Sequence, residues 1–137
     1  MRTADIAARL RSFFKTDHHG ALAVYLFGSR AQEASGPQSD VDLALLYPEL
    51  PTSRTLDSLP LLLKGDLEEL LGTTVDVLVL NAASPDLCHR VFRDGILLLD
   101  RDRRFRLRFE VKRRNEYLDF LPVLQLYRRY PKALVER

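Results

Sequence analysis

The chain has few of the features that mark secreted or membrane proteins. It contains one cysteine, Cys88, in 137 residues, so no disulfide can form within it. No apolar run approaches the ~18 residues that a membrane span needs. The N-terminal segment carries Arg9, Arg11 and Lys15, so it lacks the unbroken apolar core of a signal peptide. These absences predict a cytoplasmic protein that does not associate with membranes.

Two common ways of binding nucleotides or cations are also missing. The sequence contains no GxxxxGK(S/T) segment, so a P-loop is excluded. An EF-hand loop beginning at Asp40 is excluded as well, because its fifth, sixth and twelfth positions would be Ala44, Leu45 and Pro51. Any phosphate or metal site must therefore follow a different pattern.

Charge is distributed unevenly along the chain. Residues 1–100 carry nine basic and 14 acidic residues, whereas residues 101–137 carry 12 basic and five acidic ones. A positively charged tail indicates an acidic partner, such as a nucleotide, a nucleic acid or an acidic protein surface. The solvated face of a cationic helix explains the same pattern equally well.

Apolar spacing predicts a helix followed by alternating strands and helices. Largely apolar runs at 21–27, 41–47, 74–80 and 96–99, the second and third each with one aspartate, predict four short strands. The predicted order is helix, strand, short helix, strand, helix, strand, helix, strand, helix. The length fits a single domain over residues 1–137. The sequence therefore predicts a small α/β or α+β domain with about four strands.

Prolines and glycines set the expected helix boundaries. The helix before the third strand is predicted to begin near Pro60, because proline is tolerated in a first turn, and to stop at Gly72. Ser84 as a cap and Pro85 in the first helical position predict the start of the next helix. Pro122 lies inside the last helical region and is expected to kink or break that helix.

Two carboxylates, Asp40 and Asp42, stand at the start of the second predicted strand. Residues two apart on a strand share a face and lie roughly 7 Å apart, so both carboxylates can be aimed at one point. Mg²⁺ takes few protein ligands and completes its shell with water and phosphates, so two aspartates on a rigid strand suit it. An Asp-x-Asp pair alone is only a weak indication of such a site.

A third acid, Asp76, interrupts the apolar strand predicted at 74–80. An unpaired carboxylate is costly to bury, and a metal shared with Asp40 and Asp42 would supply a partner. Three carboxylates can hold two cations ~3.5–4 Å apart, the arrangement used for in-line phosphoryl or nucleotidyl transfer. The alternative, with about equal weight, is that Asp76 faces solvent at a sheet edge or pairs with an arginine.

Gly28 and Ser29 directly follow the first predicted strand. Glycine lets the backbone approach a ligand closely. The amides after it, at the start of a helical turn, form a site for phosphate oxygens. The Ser29 hydroxyl can also donate a hydrogen bond, and Arg30 can add positive charge, although a solvated arginine explains that residue equally well.

Taken together, these residues form one spaced motif: Gly28-Ser29, ten intervening residues, Asp40-Val41-Asp42, and the later strand acid Asp76. The motif resembles that of the nucleotidyltransferase superfamily that includes DNA polymerase beta. The small size resembles its minimal MNT-type branch, which includes the MntA antitoxins paired with HEPN-domain toxins. The resemblance covers roughly residues 21–100. It implies an α+β fold with α/β-type layering, in which helices pack on a small mixed sheet of about four strands.

The resemblance also implies a chemistry. Members of this branch transfer AMP from ATP, with Mg²⁺, to a tyrosine of the toxin, which silences its RNase activity. By position, the implied nucleotide-binding residues are Gly28, Ser29 and Arg30, and the implied catalytic and metal-binding residues are Asp40, Asp42 and Asp76. Two Mg²⁺ ions are expected, and Asp76 would also act as the general base on the incoming hydroxyl.

The segment after Gly28-Ser29 departs from the family pattern. Many relatives have Arg-x-Arg-Gly there, whereas this chain keeps Arg30 but has Gln32 and Glu33 in place of the second arginine and the glycine. The change adds an acid near the predicted phosphate site. All three metal-binding positions are intact, so an active enzyme is expected.

Three functions stay open at this point. The first is a Mg²⁺-dependent nucleotidyltransferase that acts as an antitoxin on a cognate HEPN-domain toxin. The second is a non-catalytic antitoxin that binds the toxin through the basic helical tail at 101–137. The third is an antibiotic-type, small-molecule transferase, which fewer than 40 residues after the last strand disfavour. A nucleic-acid acceptor is the least expected. The sequence is compatible with a homo-oligomer and with a hetero-oligomer that includes the toxin.

Overall fold

A computed structural model describes residues 2–28, 31 and 40–129, with the backbone alone for residues 53–57. In chain order the elements are α1 (Thr3–Thr16), β1 (Ala23–Phe27), β2 (Val41–Leu46), α2 (Ser53–Leu71), β3 (Val75–Val79), a 3-10 turn (Leu80–Ala82), α3 (Pro85–Asp94), β4 (Ile96–Asp100) and α4 (Arg103–Arg129). The predicted order is confirmed, except that the short helix expected between β1 and β2 lies outside the described residues. None of the described helices is long and apolar enough to cross a bilayer.

The four strands form one mixed sheet in the order β3-β2-β1-β4. β1 runs antiparallel to both β2 and β4, whereas β2 runs parallel to β3. The helix α2 connects the parallel pair, because parallel neighbours need a crossover rather than a tight turn. The expectation of a small mixed sheet of about four strands is therefore confirmed.

Helices cover both faces of the sheet, so the domain has three layers. Along β2, Leu43 and Leu45 face the core beneath α1 and α2. Ala44 and Leu46 face the opposite core, formed by the 3-10 turn, α3 and the first part of α4. Because both faces are buried, β2 is continuously apolar from Leu43 to Leu46 rather than alternating.

A polar cluster attaches the first part of α4 to the sheet. The Tyr25 hydroxyl donates a hydrogen bond to Glu110 Oε1 at 2.5 Å. Arg106 forms ion pairs of 3.0 Å with both Glu110 and Asp100. Burial, together with the Glu110 carboxylate, raises the pKa of the Tyr25 phenol, so it stays protonated and continues to donate this bond.

The boundaries expected at Gly72 and at Ser84-Pro85 are confirmed, whereas the start expected near Pro60 and a break at Pro122 are wrong. At the start of α3, the Ser84 hydroxyl accepts a hydrogen bond from the amide of Leu87 at 3.3 Å, as expected of a cap. The helix α2 begins at Ser53 rather than near Pro60, because Leu59 and Leu63, on either side of the proline, both pack on the core. Pro122 likewise lies inside α4 without breaking the helix.

Replacement of Leu45 by alanine tests which residues form the core. Leu45 on β2 is fully buried, whereas Leu61 on α2 is 70% exposed. Leu45→Ala should lower the free energy of unfolding by about 2–5 kcal/mol, because the removed atoms leave a cavity. Leu61→Ala should change it by less than about 0.5 kcal/mol. Urea denaturation followed by circular dichroism measures both, and losses of equal size would contradict this packing.

Candidate active site

The predicted site residues that the structure describes lie at one end of the sheet. Because β1 is antiparallel to β2 and β2 is parallel to β3, the end of β1 lies beside the starts of β2 and β3. The register pairs Phe27 with Asp42 and pairs Asp42 with Asp76. Gly28 directly follows Phe27. The sheet therefore brings together three residues that are far apart in sequence: Gly28, Asp42 and Asp76.

Asp42 and Asp76 lie on the same face of the sheet. Alternate residues on a strand share a face, and Ala44 and Leu78, two positions further along, both contact the core beneath α3 and α4. The two carboxylates therefore continue this face toward the strand ends. Asp40 precedes β2 directly and is exposed.

Gly28 forms a tight turn against Asp42. Its φ of +75° lies in the left-handed region that favours glycine. A Cβ built on Gly28 would overlap Asp42 Oδ2 and lie 3.2 Å from Asp42 Cγ. The amide of Ala31 donates a hydrogen bond to the Gly28 carbonyl at 3.2 Å and closes the turn. Glycine is therefore required here for two reasons, its backbone conformation and the close approach of the carboxylate.

The carboxylates of the site repel one another. Partial burial raises the pKa of Asp42, and the negative charges of Asp76 and then Asp40 raise it further. The three groups are thus close enough to interact electrostatically. A cation bound among them would offset this repulsion.

Asp76 is more accessible than its apolar strand suggested. Its strand, β3, is an edge strand, and its side chain is 60% exposed. Lys64 Nζ lies 3.5 Å from Asp76 Oδ1. The argument that Asp76 is buried and therefore needs a metal as its partner is wrong. The alternative, an exposed aspartate at a sheet edge, is confirmed, and its basic partner is a lysine and not an arginine. The place of Asp76 in the site depends instead on its register with Asp42.

Lys64 is the site residue that the sequence did not reveal. It lies on α2, between the buried Leu63 and Leu67, and its ammonium is also 3.8 Å from Glu68 Oε1. The spacing of Lys64 and Glu68 resembles an ordinary i,i+4 pair on a helix surface. Only the packing of α2 beside β3 indicates that this lysine reaches Asp76.

The donor atoms at this sheet end suit Mg²⁺. Within the described ranges, no group of three or more Asp, Glu, His or Cys residues is arranged to hold a metal ion. Mg²⁺ nevertheless binds commonly through one or two carboxylates, with water and substrate phosphates completing its shell. The repulsion around Asp42 favours a cation at the same position. Of the remaining residues discussed above, Ser29, Arg30, Gln32 and Glu33 lie outside the described part of the chain.

The sequence matches the family described as "Polymerase beta, Nucleotidyltransferase" over residues 9–104. This range is more than half of the chain and runs from α1 to the start of α4. It contains every predicted site residue.

A curated protein of Methanocaldococcus jannaschii, "Putative protein adenylyltransferase MJ0435", is 35% identical to this chain over 81 residues. The alignment covers 59% of this chain and 83% of that protein. The aligned relative is thus represented over most of its length.

Two solved structures have a similar fold over nearly the whole chain. A chain of "the toxin-antitoxin with AMP-PNP" has a TM-score of 0.68 and 24% identity, covering 96% of this chain and 98% of its own. A chain of a tri-AMPylated Shewanella oneidensis HEPN toxin in complex with MNT antitoxin has a TM-score of 0.64 and 21% identity, covering 98% and 99%. These likenesses confirm the predicted nucleotidyltransferase fold.

Asp42→Asn should raise the free energy of unfolding near neutral pH. Folding raises the pKa of Asp42 above its ordinary value of 3.8, so its ionised form destabilises the folded state above that pH. The destabilisation disappears as the pH falls below 3.8, so the advantage of the variant should shrink toward about pH 3. Denaturant titrations between neutral pH and about pH 3 measure the free energy of unfolding of Asp42→Asn and wild type, with Asp66→Asn, at an exposed position, as the control. If the stability gain of Asp42→Asn is independent of pH, or if the control shares it, burial and repulsion do not raise the pKa of Asp42 as described.

Proposed function

Because the chain belongs to the polymerase beta nucleotidyltransferase family, we propose that it is a Mg²⁺-dependent protein adenylyltransferase and the antitoxin of a HEPN-domain toxin. It transfers AMP from ATP to a tyrosine of that toxin and thereby neutralises it. The observation that carries the proposal is the register that sets Asp42 beside Asp76, with the Gly28 turn against them.

The comparisons support the nucleotide and the partner. The M. jannaschii relative is named as a protein adenylyltransferase. One structural neighbour is a toxin-antitoxin with AMP-PNP, an analogue of ATP. Another contains a tri-AMPylated HEPN toxin with its MNT antitoxin. Together these favour ATP as the substrate and a HEPN-domain protein as the acceptor.

In this proposal Asp40, Asp42 and Asp76 hold Mg²⁺, and two ions are expected. Bound there, Mg²⁺ would neutralise charge on the phosphates and stabilise the departing pyrophosphate. The rigid strand β2 fixes the direction of Asp42, and its partner β3 fixes that of Asp76. The accessibility of Asp76 is consistent with its role, because a general base must reach a substrate hydroxyl.

The remaining residues orient the two substrates. The backbone at Gly28, together with Ser29 and Arg30, binds the triphosphate. The tyrosine oxygen of the acceptor attacks the α-phosphorus, and the bond from that phosphorus to the bridging oxygen of the β-phosphate breaks. Asp76 takes the tyrosine proton, and pyrophosphate leaves with the bonding electron pair. The products are the AMPylated tyrosine and pyrophosphate.

The helix α4 supports docking of a protein partner. It has 27 residues, about 40 Å in length, and its first part packs on the sheet and α3. Further along the helix, Tyr117 stacks on His89 and Arg128 lies 4.0 Å from Asp86, both on α3. Its distal part exposes large apolar side chains: Leu118, Phe120, Val123, Leu126 and Tyr127. We propose that the tail at 101–137 binds the toxin through these side chains and its basic residues. Binding alone is therefore the second candidate function.

A small-molecule acceptor has less support. In the part of the chain that the structure describes, β4 is followed by the single helix α4, so no second domain encloses an acceptor pocket. A protein partner would supply the missing surface, as a hetero-oligomer with this chain. The proposed site of action is the cytoplasm, where ATP is available and the single thiol of Cys88 stays reduced.

Transfer of label from α-³²P-ATP to the cognate HEPN protein tests the catalytic proposal. Asp42→Asn should lower transfer by at least about 100-fold, because it removes a charged ligand at the centre of the site. The control Asp66→Asn, an exposed acid on α2, should transfer normally. The catalytic proposal fails if the wild-type protein labels nothing, or if Asp42→Asn labels the toxin at the wild-type rate.

A charge placed on the distal part of α4 tests docking. Phe120→Glu should weaken co-purification with the toxin by at least about tenfold, because the apolar side chain loses its buried contact and a charge is desolvated. Leu61→Glu on α2, which is 70% exposed, is the matched control and should not affect binding. Equal binding by both variants would place the interface elsewhere.

A further inference from the structure

We propose that Lys64 competes with the divalent cation for Asp76, so that the cation binds tightly only when the nucleotide is also bound. The inference rests on the proposed function, because it assumes that Asp76 is a metal ligand. Its basis is the ion pair between Lys64 Nζ and Asp76 Oδ1, at 3.5 Å.

The packing of α2 holds Lys64 in place. The neighbouring Leu63 and Leu67 are 1% and 0% exposed and belong to the core beneath the sheet. The backbone of Lys64 is therefore fixed beside β3, whereas its side chain is 37% exposed and can change rotamer. Glu68, one turn along the helix, lies 3.8 Å from the ammonium and gives it a second partner.

Lys64 places a positive charge beside the carboxylates of the site. Among the described side chains, those of residues 2–28, 31, 40–52 and 58–129, it forms the one ion pair that reaches Asp40, Asp42 or Asp76. The lysine offsets only part of the charge of Asp76, which still repels Asp42, as Asp40 does. A divalent cation that binds without nucleotide must displace the ammonium or bind beside it.

The strength of this competition can be estimated from charge alone. An ion pair as exposed as this one is weak, so a metal ion with its nucleotide phosphates can displace it. A unit positive charge about 6 Å from a divalent cation in a watery environment lowers the affinity for that cation by roughly tenfold. Once displaced, the ammonium can keep Glu68 Oε1, 3.8 Å away, as its partner.

Mn²⁺ binding to the nucleotide-free protein, measured by electron paramagnetic resonance, tests the inference. Lys64→Met removes the charge and keeps most of the side-chain stem, so it should bind Mn²⁺ roughly three- to tenfold more tightly than wild type. Lys64→Arg keeps the charge and should restore weak binding. Lys112→Met, an exposed lysine on α4, is the control and should match wild type.

The same titration with a non-hydrolysable ATP analogue provides the second readout. With the analogue bound, the difference in Mn²⁺ affinity between Lys64→Met and wild type should become smaller, because the phosphates supply further ligands to the metal ion. A purely structural role for Lys64 would change stability but would not tighten Mn²⁺ binding. If Lys64→Met binds Mn²⁺ like wild type, or more weakly, the competition is refuted.

Asp42→Asn separates this result from a failure of the proposed function. If Asp42→Asn loses Mn²⁺ binding in the presence of the analogue while Lys64→Met behaves like wild type, the metal site stands and only the role of Lys64 is overturned. If Asp42→Asn binds Mn²⁺ as tightly as wild type, the proposed metal site itself is wrong, and the inference about Lys64 falls with it.

Discussion

The parallel pairing of β2 with β3 is the constraint on which the site depends. It sets Asp42 directly beside Asp76, two like charges that a folded protein has no structural reason to bring together. The pairing is stabilised by apolar contacts on both faces of the sheet, so the core holds the carboxylates together against their repulsion. Burial and then the charges of Asp76 and Asp40 raise the pKa of Asp42, and a bound cation would offset the repulsion.

Asp42 and Asp76 have different surroundings: the first is enclosed by neighbouring strands, and the second is accessible to solvent. Asp42 lies on a strand with neighbours on both sides, and the Gly28 turn packs against it. Asp76 lies on the edge strand, where its carboxylate is open to solvent and to Lys64. This asymmetry is consistent with the proposed roles, in which Asp42 is held in place as a metal ligand and Asp76 also accepts a proton. The exposure of Asp76 would also let the tyrosine of a protein acceptor approach it.

The helix α4 connects the catalytic domain with the proposed docking surface. Tyr25 on the central strand and Asp100 at the end of β4 hold Glu110 and Arg106 of the helix. The polar bonds fix one orientation of the helix, which apolar packing alone would specify less sharply. The distal part of α4 is thereby presented in a defined direction relative to the sheet, which would place a bound toxin consistently with respect to the site.

The sequence by itself determined the order of the described elements and the motif Gly28-Ser29, Asp40, Asp42 and Asp76, because apolar runs and glycine or proline signals are local properties. The mixed sheet was implied by the family resemblance and not by local patterns. It misjudged where α2 begins, since packing of Leu59 on the core outweighs the local effect of Pro60. Only the tertiary structure decided the rest: the register that joins Asp42 to Asp76, the exposure of Asp76 at a sheet edge, and the presence of Lys64 beside it. Those features arise from which strand pairs with which and from how α2 packs beside β3, and no local pattern in the sequence specifies them.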